Sequence, residues 1–402
     1  MFSLAALLFP CLLVTIACID VVLAFSNDRS DNLAVYWGQD AAGHQQRLSF
    51  YCEDDTIDAI PMAFLYIFHG KGGQPVLELS NICNHGTSKS FPGTDLLDCS
   101  FLAADIRQCQ AKGKIVTLSL GGATSSVGFS SESQATEFAT TIWNMFLGGK
   151  SSMRPFGSAV LDGIDLDIES GSASFYGAFV NKIRSLAKGA KKRYYVTAAP
   201  QCPFPDAKLG AALNSAFFDA VYVQFYNNYC ETSVPSEFNF DTWDNWAKTK
   251  SPNRDIKVYL GGPGSAKAAG NGYVDANTLA KVAKDAQQRY SSFGGVMLWD
   301  ADVAYTNNRY DRAIKTALTG GSPRPRPQGP SPNPDPRPDD PPTPTQKSPS
   351  TPAIIEDPIE SDKDPRATAR VKRPTFGSRA EASGIVDDNQ AGIKKPLRFF
   401  RF

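Results

Sequence analysis

Between about residues 30 and 320 the chain alternates eight short, β-branched apolar runs with stretches of helical period, which narrows the fold more than any other feature. The runs fall at 32–37, 60–68, 115–120, 160–168, 194–199, 219–226, 256–260 and 294–299. Helical periodicity is clearest at 133–147, 174–190, 276–290 and 303–318. Eight strands, seven connections and a last helix over roughly 290 residues predict an α/β protein built as a (β/α)8 TIM barrel. A doubly wound open sheet is the competing architecture. It normally has fewer strands, and no G-x-G-x-x-G stands at the first strand-to-helix turn.

The fourth run contains Asp162-Gly163-Ile164-Asp165-Leu166-Asp167-Ile168-Glu169. Side chains on a strand alternate faces, so Asp165, Asp167 and Glu169 share one face while Ile164, Leu166 and Ile168 share the other. Carboxylates spaced about 6–7 Å apart on one face repel, so at least one group must hold its proton. That pattern predicts a general acid tuned by its neighbours. Asp162 has the opposite parity and is expected to bond the backbone. Barrel enzymes place their chemistry at the carboxyl ends of strands. Tyr36 and Gln39 follow the first run, Glu169 the fourth, Gln224 and Tyr226 close the sixth, and Trp299 closes the eighth. Gly121 and Gly122, after the third run, are expected to thin the floor of a cleft.

Residues 1–24 are an apolar run ending Val22-Leu23-Ala24, expected to be a secretory signal with Phe25 as the mature start. Cys52, Cys83, Cys99, Cys109, Cys202 and Cys230 then remain, an even number suited to disulfides in an oxidising compartment. Six cysteines allow fifteen pairings, so spacing leaves the connectivity open. His44, His69 and His85 form no metal-ligand pattern with them, and no metal or cofactor is expected. The 41 basic and 41 acidic residues balance, which gives no electrostatic case for nucleic acid. The barrel is assigned to 25–320. Residues 321–365 form a Pro/Ser/Thr-rich linker, extended and open to O-glycosylation, and 366–402 a basic, disordered tail. No membrane span is expected in the mature chain.

The octet 162–169 fits the pattern D-x-x-D-x-D-x-E in full, and with Ser119-Leu120-Gly121-Gly122 it resembles the signature blocks of glycoside hydrolase family 18 chitinases. Tyr36-Trp37-Gly38-Gln39, Ala198-Ala199-Pro200-Gln201-Cys202, Val223-Gln224-Phe225-Tyr226-Asn227-Asn228 and Val296-Met297-Leu298-Trp299 are similar to the hevamine-like, class III branch of plants and fungi. The resemblance covers about 30–318. Asp40 departs from it, since relatives often carry Asn there. What the resemblance implies is a chitinase cleaving β-1,4 bonds between N-acetylglucosamine units. Glu169 would be the acid and base, and the substrate's acetamido group the nucleophile, an exception to the two-carboxylate scheme. Asp167 would orient the acetamido group, Asp165 would tune Asp167, and Tyr226 would donate to the acetamido oxygen. Trp299 would floor the subsite beside the cleaved bond, with Tyr36, Gln39, Phe68 and Gln224 as further sugar contacts. The same resemblance implies the disulfides Cys52–Cys109, Cys83–Cys99 and Cys202–Cys230.

The partners then expected are chitin or its oligosaccharides, met by a secreted monomer whose spacer points to wall association. Two other functions stay open: an endo-β-N-acetylglucosaminidase, which shares the octet, and an inactive barrel serving as lectin or inhibitor. Retention of Glu169, Asp167 and Tyr226 weighs against the second.

Overall fold

A computed structural model describes residues 24–321. The signal expected at 1–24 and the segments 321–365 and 366–402 therefore lie, but for residues 24 and 321, outside the described residues. Among the described residues nine strands occur: β1 (Asn32–Val35), β2 (Ala59–Ile67), β3 (Val76–Leu77), β4 (Ile115–Gly121), β5 (Gly163–Asp167), β6 (Tyr195–Ala198), β7 (Ala220–Gln224), β8 (Lys257–Pro263) and β9 (Phe293–Trp299). Around them run α1 (Leu48–Tyr51), α2 (Ala103–Ala111), α3 (Glu132–Phe146), α4 (Tyr176–Ala187), α5 (Gly210–Leu213), α6 (Phe240–Thr249), α7 (Ala276–Arg289), α8 (Ala301–Thr306) and α9 (Tyr310–Leu318). Eight strands pair in parallel around a ring that β1 closes by pairing with both β9 and β2; β3 adds to β2 antiparallel. The barrel is a closed (β/α)8 ring, as the alternation predicts.

Strand parity divides the molecule into two apolar shells. Ile164, Leu166 and Ile168 of the β5 segment, Val221, Val223 and Phe225 around β7, and Val296 and Leu298 of β9 join the large core beneath the helices. Their alternates Tyr222, Tyr226, Met297 and Trp299 belong to a smaller cluster inside the ring with Tyr36, Phe64 and Tyr259. Two carboxylates of the octet are thereby turned into a lumen otherwise filled by aromatic rings.

Helix starts follow local chemistry. Ser131 accepts from Gln134 N at the head of α3, and Asp275 accepts from Asn277 N and Thr278 N at the head of α7. The single helix predicted over 303–318 is instead two, α8 and α9. Asn308 and Arg309, with φ of 50° and 56°, break it with left-handed backbone. The strand predicted over 160–168 is shorter, and Glu169 lies two residues beyond the end of β5.

The described cysteines pair as Cys52–Cys109, Cys83–Cys99 and Cys202–Cys230. Asp162, at the opposite end of β5 from Glu169, takes Val116 N at 2.8 Å, Gln110 Nε2 at 2.9 Å and Lys192 Nζ at 2.9 Å. It ties strand to helix and sits apart from the other carboxylates.

Candidate active site

Asp165 is fully buried and accepts from three hydroxyls, Tyr36, Ser119 and Thr197, each at 2.7 Å. Register explains two of them, because Ser119 on β4 and Thr197 on β6 are its direct neighbours across the sheet. Burial pushes the Asp165 carboxyl above the usual carboxylate range, while the three hydroxyl donors pull it back. Hydroxyls solvate a charge without adding one, so the three donors hold an acidic group in a lumen walled by aromatic rings.

Asp167 is also buried, and Gln224 Nε2 donates to its Oδ1 at 2.9 Å and to Ala199 O at 3.0 Å. The Glu169 carboxyl lies close enough to Asp167 for each to shift the other. Burial, then the charges of Glu169 and Asp165, hold the Asp167 carboxyl well above its ordinary value. Glu169 is raised by burial and opposed by hydrogen bonds from Gln224, Asp167 and Gln201. The two carboxyls titrate as a pair that keeps a proton, with Asp167 the stronger holder. Tyr226 is buried beside them, and burial followed by the charges of Asp167 and Glu169 raises its phenol far from ionisation. It is a neutral donor at any working pH.

Gly121 allows this packing. Its φ is +120°, and a Cβ there would lie 2.0 Å from Asp167 O, which accepts from Gly122 N at 2.7 Å. Any side chain would push β4 off the acid-bearing strand.

Trp299 is half-buried at the end of β9, its ring stacked on Phe64 with centroids 5.6 Å apart and planes at 18°. Tyr36 packs 5.5 Å from it. The peptide bonds Ala63–Phe64 and Trp299–Asp300 are both cis. The indole therefore forms part of an aromatic floor, a surface suited to the apolar face of a ring ligand.

Of the residues expected as sugar contacts, Tyr36 and Gln224 donate to carboxylates, and Gln39 Nε2 donates to Gly38 O at 3.0 Å and Ala63 O at 2.9 Å. Phe68 requires a correction. It is 1% exposed and stacks on Phe138 of α3 at 4.5 Å, with Phe129 at 5.2 Å, in the core outside the ring. A ring just past the end of β2 had two places to go, and the helices took it.

Sequence reasoning missed Ser119, Thr197, Gln201, Asp206 and Phe64. Period-two parity puts Ser119 and Thr197 on the lumen face of their runs. Only the register between strands brings them level with Asp165.

The ring thus brings a buried acid pair from one strand, a phenol from another and an indole from a third to the carboxyl end of the barrel. Residues 32–289 match the profile of Glycosyl hydrolases family 18, and the chain belongs to that family. It is 49% identical over 305 residues to Chitinase 2 of Rhizopus oligosporus, covering 75% of this chain and 55% of that protein. The chain also spans only 62% and 52% of two further fungal relatives, little more than half their length. Among solved structures it is similar to the ICChI chitinase of Ipomoea carnea, with TM-score 0.61 and 36% identity over 71% of this chain and 99% of that one. It is nearly as similar to a xylanase and alpha-amylase inhibitor protein of Scadoxus multiflorus, with TM-score 0.60 and 33% identity over 72% and 98% of the two chains. Enzyme and inhibitor share the barrel, so the residues of the site must decide between them. Among the described residues no helix is long and apolar enough to cross a membrane, and no cluster of His, Cys, Asp and Glu is arranged to hold a metal ion.

Proposed function

We propose that the protein is a secreted chitinase that hydrolyses β-1,4 bonds between N-acetylglucosamine units with retention of configuration. One observation carries this: Asp167, two residues before Glu169, is buried and held by Gln224 Nε2 at 2.9 Å, with the Glu169 carboxyl close enough to raise it. Glycosidases that use a protein nucleophile hold their carboxyls about 5–5.5 Å apart, and inverting ones about 6.5–9.5 Å. Two carboxyls this closely coupled suit a scheme in which the nucleophile comes with the substrate. A 2-acetamido group supplies it.

Glu169 gives its proton to the glycosidic oxygen as the anomeric C–O bond breaks, and the acetamido carbonyl oxygen bonds to the anomeric carbon. Asp167, having passed the shared proton to Glu169, turns from it to accept from the acetamido N–H as positive charge grows on that group. Tyr226 donates to the acetamido oxygen and orients it for attack. The Glu169 carboxylate then takes a proton from water, whose oxygen opens the cyclic intermediate and restores the starting configuration. Asp165 lies within Coulombic reach of Asp167 and helps keep it protonated until the substrate arrives. The three disulfides fit export to an oxidising compartment.

Purified protein incubated with soluble chitin oligomers and followed by proton NMR tests this. Shortened oligomers whose new reducing ends appear first as the β-anomer are expected. Unchanged oligomers with cleavage of a high-mannose glycoprotein would replace chitin by the N-glycan core. No cleavage of either, with chitin binding intact, would make the barrel a lectin.

A further inference from the structure

Among the described residues six large apolar side chains are exposed: Phe50, Phe101, Phe175, Phe204, Phe217 and Tyr229. The fold gives four of them a partner. Phe50 meets Tyr51 and Tyr305, Phe101 lies under Arg47, Phe217 under Arg184, and Phe204 packs edge-on against Trp243. Phe175 and Tyr229, 40% and 60% exposed, meet neither a ring nor a guanidinium among the described residues. Single exposed rings are common on protein surfaces, so exposure alone decides nothing. Place and backbone decide more.

Both rings stand on loops at the carboxyl end of the barrel, where barrel enzymes place their chemistry. Phe175 lies in the connection from β5 to α4, six residues after Glu169. Tyr229 lies in the connection from β7 to α6, three residues after Tyr226. The loop after β6 joins the two. Lys208 Nζ donates to Gly171 O at 2.7 Å on one side, and on the other Cys202 is bridged to Cys230, the residue after Tyr229. Asn227 has left-handed backbone, with φ of 59°, and its Oδ1 accepts from Gly270 N at 2.8 Å and Asn271 N at 3.0 Å. The turn that carries Tyr229 is thereby fastened to the loop after β8 as well. The two rings rise from a braced wall, on strands two spacings, about 10 Å, apart.

Phe175 bears a second mark. Its φ is 66°, in the left-handed region, at the head of α4, where its side chain makes no cap. That backbone is unfavourable for a bulky residue and suits Gly or Asn better. The sequence nevertheless places an aromatic there, with its ring open to water. Strained backbone of this kind gathers at sites that grip a ligand.

Flat rings set apart along a wall suit a ligand that offers apolar faces at intervals. An extended chain of pyranose rings does so, whereas a protein partner calls for one continuous apolar patch. We propose that Phe175 and Tyr229 are stacking posts outside the catalytic cluster, holding the part of a long N-acetylglucosamine chain that runs beyond the sugars at the cleaved bond. The proposal rests on the chitinase reading, and the two fail in different measurements.

Tyr229→Ala removes one ring. Phe175→Asn removes the other and accepts the left-handed backbone. Tyr229→Phe and Phe175→Tyr keep the rings. KM and kcat are read on the chitin tetramer and hexamer in the full chain, beside retention on insoluble chitin and thermal unfolding. Tyr229→Ala and Phe175→Asn are each expected to raise KM on the hexamer about 3–10-fold and to weaken retention. Their kcat, and their KM on the tetramer, should stay within about twofold of wild type. The variants that keep a ring should match wild type throughout. Equal changes on tetramer and hexamer would make the residues structural and overturn the proposal. A ring whose loss leaves hexamer KM and retention unchanged is not a post, and with wild type cleaving chitin that result overturns the proposal alone. Wild type that neither cleaves chitin nor is retained on it would remove the chitinase reading and the proposal together.

Discussion

Replacing Glu169 by Gln should abolish hydrolysis and make the protein harder to unfold, and the second effect has a sign and a pH window. Asp165 and Asp167 lie on one face of β5, about 6–7 Å apart by strand geometry, and Glu169 acts on Asp167 more strongly still. At an effective dielectric constant near 20, two charges at that spacing repel by about 2–3 kcal/mol. The fold meets that repulsion by holding protons, with the Asp167 and Glu169 carboxyls both raised. Raised carboxyls bind more protons folded than unfolded. The wild type therefore loses stability as pH rises from the unfolded value near 4 through the folded values. An amide in place of the Glu169 carboxyl cannot ionise, and the exchange removes the largest charge acting on Asp167. The melting temperatures of variant and wild type should coincide near pH 4 and separate above about pH 5, by about 3–6 °C at pH 8. The same residue serves as acid and then base, so the rate on chitin oligomers should fall at least about 10³-fold. Thermal unfolding at a series of pH values, beside a hydrolysis assay, reads both. A stability gap that is constant or narrows with pH, or hydrolysis within about tenfold of wild type, would refute the reasoning.

Tyr226→Phe keeps the buried ring and loses the neutral donor, so kcat should fall about 10–100-fold with an unchanged circular-dichroism spectrum. Phe68→Ala should cost about 3–5 kcal/mol in denaturant unfolding while KM on chitin oligomers stays put, because the ring packs under the helices. Lys315→Met should cost about 3–5 kcal/mol by the same measurement, since the buried Asp58 loses its ammonium partner.

Strand order and inward parity were legible because both follow from a period of two and a regular alternation with helices. The octet therefore points to its own face of β5 by residue order alone. Ser119 and Thr197 were not legible as partners of Asp165, because register is a relation between strands and leaves no mark within one of them. Phe68 shows the converse difficulty. Past the end of a strand parity lapses, and an apolar ring goes wherever packing is denser. Gln201 and Asp206 lie in a connection with no period at all. Their positions depend on hydrogen bonds to backbone that sequence cannot assign.

The ring closes where Asn32 on β1 meets β9, its side chain donating to Gly294 O across 262 residues of chain. Closure is the most non-local event in the molecule and belongs late in folding. The acid strand lies away from that seam, flanked by β4 and β6, its neighbours in chain order as well as in space. Two donors to Asp165, Ser119 and Thr197, can therefore assemble from consecutive strands of an unfinished ring. The third, Tyr36, follows β1, the strand at which the ring closes, and comes to Asp165 across the lumen. The hydrogen bonds of the buried carboxylate therefore draw on two adjacent strands and on the strand at the seam, so its setting depends on the whole ring rather than on β5 alone.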